Sequence, residues 1–221
     1  MDSDKDEPQI SLLGTSGLLF EAPGPFDLAH QRRIWSLVRA VEAWPWVGEA
    51  VPGMTNLLLT FRSRPTALAA IEADLRRLWS ESEGEPGRGR RFEFDVDYGG
   101  EGGPDLDSMA AQTGLTREEV VEFHAGRDYT VFALGSHPGY AYLGIVDPRL
   151  FIRRRQVPRI SIPAGAVSVG GWQTGASAST GPSGWHTIGH TDVRFFDPAA
   201  SEPTLLAPGD VVRFRIARLF R

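Results

Sequence analysis

The spacing of hydrophobic residues in the first third of the chain predicts helices and strands in alternation. Within Asp27–Trp44, apolar residues recur at i, i+3, i+4 and i+7 from Ile34, which is typical of an amphipathic helix. A similar stripe predicts a second helix over Thr66–Trp79. The apolar runs Val47–Val51 and Asn56–Phe61 are joined by a Pro-Gly turn, and they predict a hairpin between the two helices.

Strands are also predicted on either side of this segment. Short apolar pieces at Ile10–Leu13 and Leu18–Phe20 precede the first helix, and Phe92–Val96 alternates as a strand after the second. The resulting order, β-α-β-β-α-β, is that of the ferredoxin-like split unit. The polar, glycine-rich stretch Glu81–Arg90 predicts a surface loop. We therefore expect an α+β chain whose N-terminal domain, residues 1–90, is ferredoxin-like.

The remaining residues, 91–221, have a different pattern. Two short helices are predicted at Leu106–Gln112 and Arg117–Ala125, the second with a capping box formed by Thr116 and Glu119. From Tyr129 onward, short apolar runs lie between proline and glycine turns about every 8–12 residues, which is typical of a β-barrel or sandwich. A second, mostly β domain is therefore expected.

The last apolar run follows a Pro-Gly-Asp turn and has a two-residue period. The period predicts that Val212, Phe214 and Ile216 point into the second domain and that Arg213 and Arg215 face water.

Composition and charge exclude several classes of function. The 221 residues are 41% apolar and 23% charged, contain no cysteine and have Lys5 as the only lysine. Disulfides, thiol nucleophiles, cysteine zinc sites, Schiff-base lysines and P-loop lysines are therefore not expected. The net charge of −5 argues against a nucleic-acid partner. No apolar run approaches the ~20 residues of a membrane span, and the start MDSDKDE does not resemble a signal peptide, so no membrane association and a cytoplasmic location are expected.

Two glycine-rich stretches carry an unusual number of aromatic and titratable residues. Gly135–Gly144 reads GSHPGYAYLG, and Gly170–Asp192 contains two tryptophans and two histidines. Glycine lets backbone amides approach a ligand, and the aromatic rings provide apolar walls, so the two stretches predict the mouth of a pocket. His186 and His190 are four residues apart, but their glycine-containing flank predicts a strand and not a helix, so no metal site is expected.

An arginine-rich segment, Arg149–Arg159, holds five arginines in eleven residues. A solvated edge strand and an anionic partner or substrate explain it equally well, because arginine forks suit carboxylate and phosphate.

Seven sequence blocks resemble a known family. In order, they are YGGEGGPDLDSMA, GLTREEVVEFH, PGYAYLGIVDPRL, IPAGAVSVGGWQTG, SGWHTIGHT, FFDP and LLAPGDVVRF. Together they resemble the allophanate hydrolase subunit 1 family, also called KipI or PxpB, the carboxyltransferase subdomain C and D family. The resemblance covers essentially the whole chain. It implies an N-terminal ferredoxin-like domain and a C-terminal cyclophilin-like β-barrel.

The resemblance also implies a function within a larger complex. One family member is the B component of a bacterial ATP-dependent 5-oxoprolinase, which opens the lactam of 5-oxoproline to glutamate with the partner components A and C. We therefore expect a subunit of an ATP-dependent amide or lactam hydrolase, with a composite site shared with a subunit-2 (PxpC- or KipA-like) protein. A LamB/YcsF (PxpA-like) protein is a further expected partner. ATP with Mg is expected in the assembled complex, and none held firmly by this chain alone.

Two alternatives remain open. In the first alternative, the chain is a KipI-like inhibitor of a sensor histidine kinase or another regulatory binding protein. In the second, it is a carboxyltransferase-type module that acts on urea or a related amide.

Candidate site residues come from the two glycine-rich stretches and from the histidines. His137 and His124 are candidate catalytic groups, because imidazole titrates near neutral pH. The expected substrate-binding residues are Pro138, Gly139, Tyr142, Gln173, Thr174, Gly175, Trp185, His190 and Arg155.

The chain departs from the family pattern inside these stretches. Ser136 and Tyr140 replace two phenylalanines, and Ala176-Ser177-Ala178 stands where the family has I-Y-P. His190 takes the place of an arginine and is a weaker, titratable donor, so we expect it to hold an anionic group less well. Arg149 or Arg155 is expected to compensate.

Overall fold

A computed structural model describes residues 7–63, 65–84 and 89–221. The chain divides into two compact units, Met1–Gly87 and Arg88–Arg221, and each has its own hydrophobic core. The acidic start of the chain and part of the predicted loop Glu81–Arg90 lie outside the described residues. The domain boundary at residue 90 stays a prediction.

The first unit combines one antiparallel sheet with two helices. Its elements are β1 (Gln9–Leu13), β2 (Gly17–Glu21), α1 (Leu28–Val41), β3 (Val47–Pro52), β4 (Asn56–Phe61) and α2 (Leu68–Glu81). The strand order is β1-β2-β4-β3. Both predicted helices and the predicted hairpin are confirmed. Asp27 caps α1 by accepting a hydrogen bond from the backbone N–H of His30 at 2.7 Å.

One strand is placed differently from the prediction. The strand predicted at Phe92–Val96 pairs inside the second unit, and β1 supplies the edge strand of the first sheet. β1 and β2 are joined by a tight turn in which Gly14 has a φ of 58°. Closing such a short hairpin costs little chain entropy, which favours this local pairing for the edge of the sheet.

The second unit contains a closed barrel of seven strands. Its elements are β5 (Arg91–Tyr98), α3 (Leu106–Thr113), α4 (Arg117–Ala125), β6 (Asp128–Leu134), β7 (Ala141–Gly144), β8 (Arg159–Ile162), β9 (Ala166–Gly170), β10 (Gln173–Ala176), β11 (Gly181–Ser183), β12 (His186–His190) and β13 (Val211–Leu219). The barrel order is β10-β7-β6-β13-β5-β12-β9, and β8 and β11 form a separate two-stranded sheet. The structure is therefore of the predicted α+β class, with the predicted barrel in the second unit.

Local signals around the barrel are largely confirmed. Thr116 and Glu119 form the predicted capping box of α4. In β13, Val212 and Phe214 are buried as expected, but the prediction for Ile216 is wrong, because 51% of its surface is exposed. A register shift between Ile216 and Arg218 interrupts the pairing with β5, and such a bulge breaks the two-residue alternation at this end of the strand.

No helix in the described ranges is long and apolar enough to cross a membrane.

Candidate functional site

A small cavity of about 160 Å³ opens at the surface of the barrel unit. Residues from the loop before β7, from β9 and β10, and from the β8–β11 pair line it. Four aromatic side chains define this cavity, which we call the aromatic pocket: His137, Tyr140, Tyr142 and Trp185. Four serines and Arg154 supply most of its other polar groups.

The four rings form one continuous wall. The ring centroid of Tyr140 lies 5.1 Å from that of His137 and 4.9 Å from that of Tyr142. Trp185 is 6.2 Å from each of the two tyrosines, in edge-to-face contact. The wall is therefore a packed unit and not a set of separate exposed rings.

Glycines in the barrel strands make room for these rings. A Cβ atom at Gly170 would lie 2.6 Å from ring atoms of Trp185, and one at Gly175 would lie 3.1 Å from the hydroxyl oxygen of Tyr140. At Gly170 the ring would have to move, and at Gly175 the carbonyl oxygen of Ala141, 2.9 Å from the added Cβ, blocks a side chain as well. The glycines of β9 and β10 thus determine where the pocket wall lies.

The loop before β7 is held by its own backbone. The N–H of Gly135 donates to the carbonyl oxygen of Tyr140 at 3.1 Å, and the N–H of Tyr140 donates to that of His137, also at 3.1 Å. Ser136 and Gly139 have φ values of 64° and 80°, in the left-handed region. A Cβ at Gly139 would lie 2.7 Å from the Cβ of Phe196, so close packing as well as backbone geometry requires glycine there.

The aromatic pocket carries a positive charge at its mouth. Arg154 lies there, with its guanidinium carbon 6.0 Å from the centroid of Trp185. No aspartate or glutamate occurs among the described residues that line the pocket, and Arg154 makes no ion pair within the described ranges.

Two titratable groups of the wall, Tyr140 and His137, are uncharged at neutral pH. Burial, reinforced by Tyr142, raises the pKa of Tyr140 far above its usual range despite the opposing effect of Arg154. Burial also lowers the pKa of His137. Nε2 of His137 is buried and has no hydrogen-bond partner in the part of the chain that the structure describes. The wall therefore offers neutral hydrogen-bonding groups beside one cation.

A second polar cluster organises the arginine-rich segment. Asp105 is 2% exposed and accepts hydrogen bonds from both Arg155 and Arg159, the latter at 2.7 Å. The backbone N–H of Thr187 donates to the same carboxylate at 2.9 Å. Desolvation opposes the charge of Asp105, but these donors outweigh it and lower its pKa. The cluster ties the segment to β12.

His124, near the end of α4, lies inside the barrel with no exposed surface. Its Nε2 is 2.8 Å from Oγ1 of Thr174, and its Nδ1 is 2.8 Å from the hydroxyl oxygen of Tyr98. Since Thr174 donates its hydroxyl hydrogen to the carbonyl oxygen of Ser168, it accepts from His124. The ring proton is therefore on Nε2. Burial lowers the pKa of His124 to about 3, so the ring stays neutral.

A wider groove of about 860 Å³ lies in the first unit, but its arginines already have partners. Arg33 lies 3.8 Å above the Trp79 ring and donates to the carbonyl oxygen of that residue. Arg76 donates to the carbonyl oxygen of Pro8 at 2.8 Å. The aromatic pocket, whose Arg154 has no ion pair among the described residues, is therefore the stronger candidate for a ligand site.

Comparison with known proteins identifies the family of this chain. The family described as "Carboxyltransferase domain, subdomain C and D" matches residues 8–206. The chain belongs to this family. It is 46% identical over 204 residues to a protein from Escherichia coli O157:H7 that is named as the B subunit of 5-oxoprolinase, and the match covers 92% of this chain and 93% of that relative.

Solved structures related to this carboxyltransferase-family chain differ widely in length. A conserved uncharacterized protein from Pyrococcus horikoshii is 33% identical, with a TM-score of 0.57, and the match covers 95% of this chain and 98% of that one. The urea carboxylase of Kluyveromyces lactis is 19% identical, with a TM-score of 0.80 over 97% of this chain, which shows a shared fold. This chain spans 22% of that protein and 40% of another solved chain that is 35% identical to it.

The structure brings together some of the residues expected at the site of this family member. His137, Tyr142, Gly175 and Trp185 all line the aromatic pocket. Pro138 and Gly139 belong to the loop before β7 but do not line the aromatic pocket.

Other expected residues lie elsewhere. The side chains of His124 and Thr174 are in the barrel core, and Arg155 is bound to Asp105. Gln173 is half-buried on β10 and does not line the pocket. Nε2 of His190 lies 2.9 Å from the carbonyl oxygen of Ala164, where it stabilises a turn.

The histidine pair on β12 shows no metal-site geometry. Nε2 of His186 lies 3.0 Å from the carbonyl oxygen of Arg153. Within the described ranges, no group of three or more His, Cys, Asp or Glu side chains is placed to hold a metal ion.

Tyr140 and Arg154 are among the pocket residues that sequence analysis did not name as ligand contacts. Tyr140 alternates with Tyr142 in PGYAYLG, and this two-residue period was a signal that both rings share a face. Arg154 stands within three consecutive arginines, in a stretch without regular structure, so no period distinguishes it from its neighbours.

Proposed function

We propose that this chain is the B-type subunit of an ATP-dependent 5-oxoprolinase and that its aromatic pocket forms one part of a composite site. The observation that carries the proposal is a preformed pocket with a cation at its mouth, in a chain that is 46% identical to a protein named as a 5-oxoprolinase component. Opening a lactam with ATP requires donors for developing negative charge and a group that moves a proton. Tyr140 and His137 offer neutral donors, but no carboxylate is present among the described lining residues, so partner subunits complete the chemistry.

The nucleotide does not fit this pocket. Pockets for drug-sized ligands typically have about 300–1,000 Å³, and the aromatic pocket, at about 160 Å³, is smaller. ATP and Mg therefore belong to another part of the assembled complex. We place the first unit in the ferredoxin-like class, because β2, α1, β3, β4 and α2 keep the β-α-β-β-α part of the expected order and β1 takes the edge position in place of the strand predicted at Phe92–Val96. We place the second unit in the cyclophilin-like class on its closed barrel.

We place a partner subunit over the pocket mouth. Val157 and Ile160 are 75% and 92% exposed, the highest values among the large hydrophobic side chains of the described residues. Ile162, two residues further along β8, lines the pocket. A subunit-2 protein that covers Val157 and Ile160 would bury apolar surface and close the pocket to water in one step.

Activity is tested by reconstitution. We expect the chain, co-purified with the subunit-2 and LamB/YcsF-type proteins of the same organism, to form glutamate from 5-oxoproline in the presence of ATP, and each protein alone to be inactive. A folded three-protein complex that hydrolyses no 5-oxoproline would contradict the proposal.

Assembly is tested with a pair of charge substitutions. Ile160→Asp should weaken complex formation on size exclusion at least tenfold. Ile216→Asp introduces the same charge at a 51% exposed position on β13 and should leave complex formation unchanged. Equal effects of the two substitutions would refute the assignment of the docking surface.

A further inference from the structure

We propose that the aromatic pocket binds the carboxylate of a small cyclic amide acid and that Arg154 is the group that holds it. The assignment rests on the proposed function, because the relatives' name identifies 5-oxoproline as the acid to test. The assignment defines a subsite within the composite site, with one role for Arg154, another for Trp185 and a third for the neutral groups of the wall.

The charge argument begins with the neighbours of Arg154. Arg155 and Arg159 share the buried carboxylate of Asp105, so both guanidinium groups already have an anionic partner within the chain. Arg154 is exposed at the pocket mouth and makes no ion pair in the described part of the chain. An arginine fork binds a carboxylate through two parallel hydrogen bonds, which gives both orientation and energy. A monoanion is the ligand that compensates this charge.

The size of the pocket restricts the rest of the ligand. A cavity of about 160 Å³ is suited to a molecule no larger than a single amino acid. The face of Trp185, which is 5% exposed, offers an apolar surface to a small ring. A five-membered lactam that carries one carboxylate has this size and this division into a flat ring and a charged end.

The neutral groups of the wall suit the amide end of such a ligand. Tyr140 remains a protonated phenol and can donate to a lactam oxygen, because burial raises its pKa. Nε2 of His137 is buried and has no partner among the described residues, so a ligand N–H or C=O would reach it once the imidazole turns toward the cavity. Ligand binding would satisfy this buried nitrogen, which otherwise costs stability.

The first experiment is a kinetic comparison in the reconstituted complex. Arg154→Gln should raise KM for 5-oxoproline at least tenfold and change kcat less than twofold, because the carboxylate does not change charge in the reaction and is held equally in the ground and transition states. Arg153→Gln removes a neighbouring exposed charge and is the matched control, with KM within twofold of wild type. An unchanged KM for Arg154→Gln, or the same increase for Arg153→Gln, overturns the assignment.

The second experiment measures binding without turnover. In an ¹⁵N NMR titration of the complex, the indole N–H signal of Trp185 is assigned by its loss in Trp185→Phe. Three probes are added in turn: 5-oxoproline, 2-pyrrolidinone, which is the same ring without the carboxylate, and inorganic phosphate. We expect 5-oxoproline to bind at least tenfold more tightly than the other two, and Arg154→Gln to remove this advantage. Equal affinity for phosphate, or no dependence on Arg154, overturns the assignment.

The two experiments separate this inference from the proposed function. Arg154-dependent binding of 5-oxoproline to a complex that does not hydrolyse it supports the subsite and refutes the 5-oxoprolinase activity. An active complex with an unchanged KM in Arg154→Gln supports the 5-oxoprolinase activity and refutes the subsite.

Discussion

Oγ1 of Thr174 accepts a hydrogen bond from Nε2 of His124 at 2.8 Å in the interior of the barrel. Through this bond, α4 is tied to β10, the strand that also carries Gly175 of the aromatic pocket. Tyr98 on β5 continues the chain of hydrogen bonds on the other side of the imidazole. The four groups from Tyr98 to the carbonyl oxygen of Ser168 are mutually satisfied, which is the condition under which buried polar groups are tolerated.

Removing the hydroxyl of Thr174 should therefore reduce stability. Thr174→Val keeps the shape of the side chain but leaves the ring N–H of His124 and the carbonyl of Ser168 without their partner, at a cost of about 1–3 kcal/mol. Thr174→Ser keeps the hydroxyl and is the control. Urea denaturation of the two variants gives the comparison, and a valine variant more stable than the serine variant would contradict the hydrogen-bond assignment.

Stability should fall in mild acid because of His124. Its pKa is about 3 when folded, below the roughly 6.5 of an unfolded histidine, so the unfolded chain binds more protons between these values. The contribution of neutral His124 to the free energy of unfolding is complete above the pKa of the unfolded histidine. It is lost as the pH falls, by about 2 kcal/mol between pH 7 and pH 5. We expect His124→Gln to show a shallower pH dependence in urea denaturation. In the wild type, the ring signals of His124 should not titrate over this range, and a titration midpoint near pH 6.5 would refute the buried-neutral assignment.

Local signals in the sequence predicted most elements, because they depend on neighbouring residues. The apolar stripe of α1 and the capping box of Thr116 and Glu119 are examples, and both are found as predicted. Ile10–Leu13 was predicted as a strand of the N-terminal domain, but its edge position in the sheet was not, since the alternation of Phe92–Val96 fits either sheet equally well. Pairing between distant strands leaves no local trace in a single sequence.

The site was predicted at the level of stretches and less well at the level of side chains. Thr174 and Gly175 are adjacent in the QTG block, yet the threonine hydroxyl lies in the core and the glycine lines the pocket, because successive residues of a strand face opposite sides. Arg155 and Arg154 were indistinguishable because the partner of Arg155, Asp105, lies 50 residues away in sequence.

The Asp105 cluster should be more important for stability than nearby surface ion pairs. Asp105→Asn removes a charge that two arginines and a backbone N–H share at a 2% exposed position, and losing one partner of a buried pair costs about 3–5 kcal/mol. Asp107 is the control, because its side chain is 74% exposed and pairs with Arg117, so Asp107→Asn should cost less than about 1 kcal/mol. Thermal denaturation distinguishes the two, and similar midpoints would show that the cluster contributes little.

The glycine of β9 should be required for the pocket wall. In Gly170→Ala, the new methyl group would lie 2.6 Å from ring atoms of Trp185, so the indole must move or the strand must shift. Overpacking of this kind costs about 1–3 kcal/mol. Gly181→Ala is the matched control, because a Cβ there meets nothing within 4 Å. We expect Gly170→Ala to lower the thermal midpoint, to change the near-ultraviolet circular dichroism of the tryptophans and to weaken 5-oxoproline binding, while Gly181→Ala changes none of these. If Gly170→Ala instead keeps the wild-type spectrum and midpoint, Trp185 does not pack against this strand and the pocket wall is not built as described.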